Sequence, residues 1–178
     1  MIKFIRVDHR LLHGQVALSW FGTTKANCIL IANDEVPSDT IRKATIKMAR
    51  PNGAKLVIMP IDKSIDQING GITDKYDLMI VVETINDAYR LISGLDNKPI
   101  ELNLGGTKAT EDTESLSTAV NVTTKDKEYL KAAIKLKAVN YIEKPLNPAE
   151  IRDAITEARD LCLEKKRTRH NESIHSME

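Results

Sequence analysis

Two cysteines in 178 residues, Cys28 and Cys162, are too few for a disulfide framework, and neither belongs to a CxxC pair. They read as small apolar residues in a reducing compartment rather than as metal ligands or redox groups. An excess of either charge is also missing: 26 basic against 25 acidic residues leave a formal +1. That balance excludes a general binder of nucleic acid, which needs a clear basic excess. No apolar run approaches the ~20 residues of a membrane span. The opening Met1-Ile-Lys-Phe-Ile-Arg-Val-Asp-His-Arg is charged too early and too often for a signal peptide. The expected setting is therefore the cytoplasm, with any membrane association made through a partner. GxxxxGK[ST] and GxGxxG are absent, and so are His-Glu-x-x-His and clustered Cys/His spacings. No nucleotide cofactor and no metal are expected.

What is present is a regular alternation. The chain is 42% hydrophobic and 29% charged, and long enough for one domain that buries ~70% of its unfolded surface. Short runs rich in Ile, Val and Leu read as strands at 2–7, 27–32, 54–59, 76–82, 100–104, 119–122 and 139–143. Helical patterns lie between them. Val16, Ala17, Trp20 and Phe21 share one apolar face, Ile41, Ala44, Thr45 and Met48 another. A last stripe joins Ile151, Ala154, Ile155, Ala158, Leu161 and Cys162. Ser38 or Asp39, Thr123 or Thr124, and Asn147 followed by Pro148 supply helix starts. Strand and helix in alternation predict an α/β fold: a doubly wound, mainly parallel sheet of about seven strands, helices on both faces. The expected domain is 1–164. Residues 165–178 read as a polar tail, with His170 and His175 as bystanders, rather than as a basic nucleic-acid arm.

In such sheets ligands bind beyond the carboxyl ends of the strands. The most unusual of those ends is the first, Asp8-His9-Arg10-Leu11-Leu12-His13-Gly14-Gln15. A neutral imidazole, with an ordinary pKa near ~6.5, is a nucleophile toward phosphorus at neutral pH. Arg10 offers a fork of donors to a phosphoryl group, and the amides of Gly14 and Gln15 open a helix toward it. Asp8 would hold Arg10 or orient an imidazole. His13 beside these donors ranks ahead of His9, although a single histidine is more often a capping or packing residue. Gly105-Gly106-Thr107 is either a phosphate-cradling loop or a plain turn. Asp34 and Glu35 suit acid–base work or, more simply, the start of a helix. Apolar Leu11, Leu12 and Trp20 are candidates for a docking surface, Trp20 being equally a core residue.

The run Arg6-Val7-Asp8-His9-Arg10-Leu11-Leu12-His13-Gly14-Gln15-Val16 closely resembles the opening motif of IIB components of the phosphoenolpyruvate-dependent sugar phosphotransferase system, in the mannose/fructose/sorbose family. The resemblance continues through Ile31-Ala32-Asn33-Asp34-Glu35-Val36, Asp39-Thr40-Ile41-Arg42-Lys43, Arg50-Pro51-Asn52-Gly53 and Asn103-Leu104-Gly105-Gly106-Thr107-Lys108. It implies a phosphocarrier. A IIA component donates a phosphoryl group to the histidine of the His-Gly-Gln element, His13 here. That group then passes to a sugar bound by the membrane components IIC and IID. The resemblance maps the neighbouring arginine to Arg10 and the acid to Asp8, and assigns nothing to His9. A homodimer is compatible with it.

The stretch from Ala138 to Pro148, with its Lys144-Pro145 pair, departs from that pattern and looks like the final strand and turn of a response-regulator receiver. A receiver needs an acceptor aspartate after a central strand, where this chain has Val82-Glu83. A binding module that holds an anion through the Gly105 loop and Asp34, and an isomerase- or phosphatase-like use of His13 with Asp34, are the other readings.

Overall fold

The computed structural model describes residues 1–97, 101–135 and 140–141. A six-stranded sheet, every pair of it parallel, forms the centre of the fold. Its strands are β1 (Ile2–Asp8), β2 (Cys28–Ala32), β3 (Lys55–Met59), β4 (Leu78–Val82), β5 (Glu101–Gly106) and β8 (Asn140–Tyr141), in the order β3-β2-β4-β1-β5-β8. The chain runs outward from β1 through β2 to β3, returns to insert β4 beside β1, then continues past β1 to β5 and β8. Right-handed crossovers in opposite directions place their helices on opposite faces.

The core shows that division residue by residue. Phe4, Ile29, Ile31, Met79 and Val81 belong to one apolar cluster, with Val16 and Ala17 of the first helix and Ile46 of α2 (Thr40–Met48). Ile5, Val7, Leu30, Ile80 and Val82, the alternate strand positions, face the other cluster. That second cluster is roofed by α3 (Ile61–Asn69), α4 (Ile85–Gly94) and α5 (Thr124–Lys135). β2 and β4 are buried at every residue because both of their faces are covered, which is why they read as unbroken apolar runs. The first helix begins as α1 (Gly14–Val16) and widens at once into a π-helical stretch, Ala17–Phe21.

Asp39 caps α2 by accepting from the amides of Ile41 and Arg42. Thr123 and Asp126 exchange the hydrogen bonds of a capping box at the start of α5. Two expectations are corrected. The segment read as a strand at 119–122 does not enter the sheet; it pairs antiparallel as β7 (Asn121–Val122) with β6 (Glu114–Ser115). Val120 and Val122 are buried in the second apolar cluster, and the hydroxyl of Thr107 bonds the backbone of Asn121, which ties the ribbon to the end of β5. In α2 the stripe of Ile41, Ala44, Thr45 and Met48 faces solvent, with Ile41 79% and Met48 87% exposed, while Ile46 packs inward. The helix Ile151–Cys162, the Lys144-Pro145 turn, Cys162, the tail and the 164/165 boundary lie outside the described residues.

Candidate phosphoryl-transfer site

The site grows from the carboxyl end of β1. The Leu11 amide donates to the Asp8 carbonyl at 2.8 Å, closing a turn over His9 and Arg10. Leu11 adopts a positive φ of 56°, an unfavourable region for a branched side chain. Burial holds it there: Leu11 and Leu12 are 0% and 1% exposed in the first apolar cluster. The two leucines anchor the loop and leave nothing for a partner to touch, contrary to the docking role the sequence suggested. Trp20 is half-buried and stacks on Phe4 at 4.8 Å.

Beneath the loop is a polar cluster inside the apolar fold. Arg6, Asp8 and Asn103 are 3%, 1% and 0% exposed. Arg6 donates to Asp8 Oδ2 from Nη2 at 2.9 Å and from Nε at 3.3 Å, and to the side-chain oxygen of Asn103 from Nη1. Its guanidinium also lies 5.3 Å from the centroid of the Trp20 ring. Burial lowers the Arg6 pKa from its ordinary value, and Asp8 opposes that shift. The room for this guanidinium comes from Gly105. A Cβ at that position would stand 1.9 Å from Arg6 Cζ.

Asp8 is the hub. Its Oδ1 accepts the Arg10 amide at 3.1 Å, and its Oδ2 lies 3.3 Å from His13 Nε2. A carboxylate paired with Arg6 can only accept, so Nε2 carries the hydrogen and Nδ1 keeps its lone pair. His13 is the residue before the first helix, and burial is the largest influence on it, lowering its pKa below the ordinary value. Asp8 counteracts that shift; Arg10 and Arg6 add to it. The imidazole is accordingly neutral near pH 7. The Arg10 side chain is 56% exposed and its Nε is 3.9 Å from Asp8 Oδ1, so its guanidinium is only loosely held beside the histidine. Gly14 and Gln15 are exposed at the helix opening, where first-turn amides have no intrahelical acceptor.

Asp8, Arg10, His13, Gly14 and Gln15 are thus brought together. The Gly105-Gly106-Thr107 segment is placed differently from a cradle. Gly105 is filled by Arg6, the Gly106 carbonyl accepts the His9 amide at 2.9 Å, and the Thr107 amide donates to Ala119 at 3.0 Å. The Thr107 hydroxyl is bonded to Asn121. Asp34 is engaged by Arg90 and by the Ile61 amide, which lower its pKa. At the neighbouring strand ends, Glu83 receives Asn33 at 2.8 Å and Arg42 at 2.7 Å. Arg6 and Asn103 were missed as site residues, although polar groups recurring every second position in apolar strands were the available signal.

Comparison with known proteins decides the family. The family model described as PTS system sorbose subfamily IIB component matches residues 2–173. The chain belongs to this family. As a sorbose-type IIB chain it is 41% identical over 88 residues to a probable phosphotransferase enzyme IIB component of Streptococcus pyogenes, covering 49% of this chain and 54% of that one. It is 31% identical to the mannose-specific EIIAB component of Escherichia coli over 74% of this chain and 40% of the relative. The match therefore spans about half the length or less of these two curated relatives. The sorbose-specific EIIB component of Lacticaseibacillus casei is 32% identical, covering 71% of this chain and 76% of its own. The crystal structure of the IIBSor domain of the Klebsiella pneumoniae sorbose permease superposes with a TM-score of 0.76 at 25% identity, covering 88% of this chain and 97% of that domain. No described helix of the IIB chain is long and apolar enough to cross a membrane.

Proposed function

We propose that this IIB chain is a phosphocarrier that accepts a phosphoryl group on His13 Nδ1 and passes it to a sugar. One observation carries the reading. His13 Nε2 is 3.3 Å from an Asp8 carboxylate that Arg6 fixes from below, which leaves Nδ1 as the nucleophilic nitrogen beside Arg10 and the helix opening. In the first transfer the Nδ1 lone pair forms the new N–P bond while the N–P bond of a donor phosphohistidine breaks, its electron pair returning to the donor imidazole. Nε2 keeps its hydrogen and goes on donating it to the Asp8 carboxylate, which stabilises the phosphorylated ring. Arg10 and the amides of Gly14 and Gln15 neutralise the transferring oxygens, and most of the rate comes from alignment and charge. In the second transfer a sugar hydroxyl oxygen attacks phosphorus, losing its proton to solvent or to a base of the partner, and His13 leaves neutral.

The donor is a phosphorylated IIA component, and the names of relatives that join A and B components support that pairing. The acceptor is a sugar held by the membrane components IIC and IID, so the chain works in the cytoplasm at the membrane through those partners. The activity is that of a protein-phosphohistidine–sugar phosphotransferase. Intact-mass spectrometry after exposure to phosphoenolpyruvate, the general relay proteins and a cognate IIA tests the reading. One acid-labile phosphoryl group is expected on the native chain, with none on His13→Ala. Arg10→Ala should slow transfer by about 10–100-fold, roughly the loss of one charge-assisted contact of 1.4–3 kcal/mol, with an unshifted Tm. Phosphate persisting in His13→Ala moves the acceptor elsewhere, His9 first.

A further inference from the structure

On the face of the sheet opposite the first helix, a cavity of about 180 Å³ lies between β2, β3 and β4 and the end of α3 with the loop that follows it. Leu30, Val57, Met59 and Leu78 line it, and Cys28 adds a thiol that burial keeps neutral by raising its pKa. A water there would need about two to four polar partners, which such walls do not offer. A cavity of about 150 Å³ with comparable apolar walls takes benzene, so this one has room for a ring and one small substituent. Ile72 stands at the rim, 56% exposed although aliphatic, and an occupant would cover it.

The charges of the rim have one sign. Lys75 is the only charged residue of the wall, which holds no carboxylate among the described residues. Tyr76 beside it gathers a second cation. Lys55 donates from Nζ to the Tyr76 hydroxyl at 3.0 Å, and the ammonium groups of Lys55 and Lys75 lie 4.6 and 5.4 Å from the ring centroid. Asp74 and Asp77 flank Lys75 and Tyr76 in the chain, but neither is a wall residue, and Asp77 pairs with Lys3 at 3.3 Å.

We propose that this cavity binds a small aromatic monocarboxylate of benzoate size, with the ring against Leu30, Val57 and Met59 and the carboxylate at the Lys75 end. The apolar walls favour binding by taking the ring out of water, and the Met59 thioether suits an aromatic edge. A wall whose only charge is a cation selects the acid over a neutral or basic ring of the same shape. His13 is not part of the wall, so the inference stands independently of the phosphocarrier reading.

The test is an NMR titration of the full chain, labelled at its methyl groups and amides, with benzoate and with its uncharged isostere benzamide, each to roughly 10 mM, tenfold beyond a 1 mM Kd. Saturable shifts at the methyls of Leu30, Val57, Met59 and Ile72 are expected with benzoate, and weaker binding with benzamide. Lys75→Ala should weaken benzoate about fivefold, the upper end for one exposed ion pair, and leave benzamide binding and the phosphorylation of His13 unchanged. Absence of saturation overturns the proposal, as do shifts confined to the amides of Gly14 and Gln15. Benzamide binding as tightly as benzoate, or an unweakened Lys75→Ala, overturns the choice of an acid. Shifts of the same methyls with protein concentration alone would assign the face to a second copy of the chain and overturn the small-molecule site.

Discussion

Asp8 and His13 make the site a matter of single atoms. The imidazole must be neutral to attack phosphorus, and burial, ahead of the opposing effect of Asp8, sets its pKa below the ordinary ~6.5. Acceptance is therefore expected to begin its acid decline at a lower pH than an ordinary imidazole would, as the ring takes its proton. Asp8 is the group that favours the charged ring. In Asp8→Asn the His13 pKa should drop further and the acid limb of the rate profile should move to lower pH; NMR titration of the ring checks this, and an upward move sinks it. Gly105 makes a second expectation at this scale. A methyl group there meets Arg6 Cζ at 1.9 Å, and the guanidinium cannot swing aside without leaving Asp8 and Asn103. Gly105→Ala should cost about 3–5 kcal/mol, the range for breaking a buried ion pair, read as a lowered urea midpoint. A midpoint unchanged from native would show that Arg6 has another place to go.

At the scale of elements, α2 separates pattern from packing. Its stripe of Ile41, Ala44, Thr45 and Met48 has the spacing of a core face, yet Ile46 alone among its residues is buried. Periodicity says which residues share a face of a helix, not which face the sheet receives. The rotation is set by the Asp39 cap and by Arg42, held to Glu83 at 2.7 Å across to the end of β4. Met48→Gln should change stability by no more than about 0.5 kcal/mol, as exposed substitutions do. Ile46→Ala should cost about 2–5 kcal/mol. Urea denaturation of the two variants side by side would reverse this expectation if Met48→Gln proved the costlier. The first helix followed its pattern because Val16 and Ala17 lie four and five positions after the buried Leu12, close enough that the anchored loop sets which face turns inward.

For the molecule as a whole, the strand order places β1 between two parallel neighbours, under helices on both sides, and leaves β3 at an edge of the sheet. Amide exchange should follow that order, slowest in β1 and β4 and faster in β3, because opening an edge strand exposes less of the core. Hydrogen–deuterium exchange that found β3 the most protected strand would contradict the topology. The sequence by itself determined the strand–helix alternation, the parallel class and the loop holding Asp8, Arg10 and His13, because each is local: a run, a period or a set of consecutive residues. Only the tertiary structure decided that Arg6 and Asn103, 97 positions apart, meet under that loop. It likewise turned Gly105 from a phosphate cradle into room for a guanidinium, and folded the 119–122 segment into a ribbon instead of the sheet. Such outcomes depend on which strands become neighbours, and neighbours far apart in sequence are chosen by the packing of the whole.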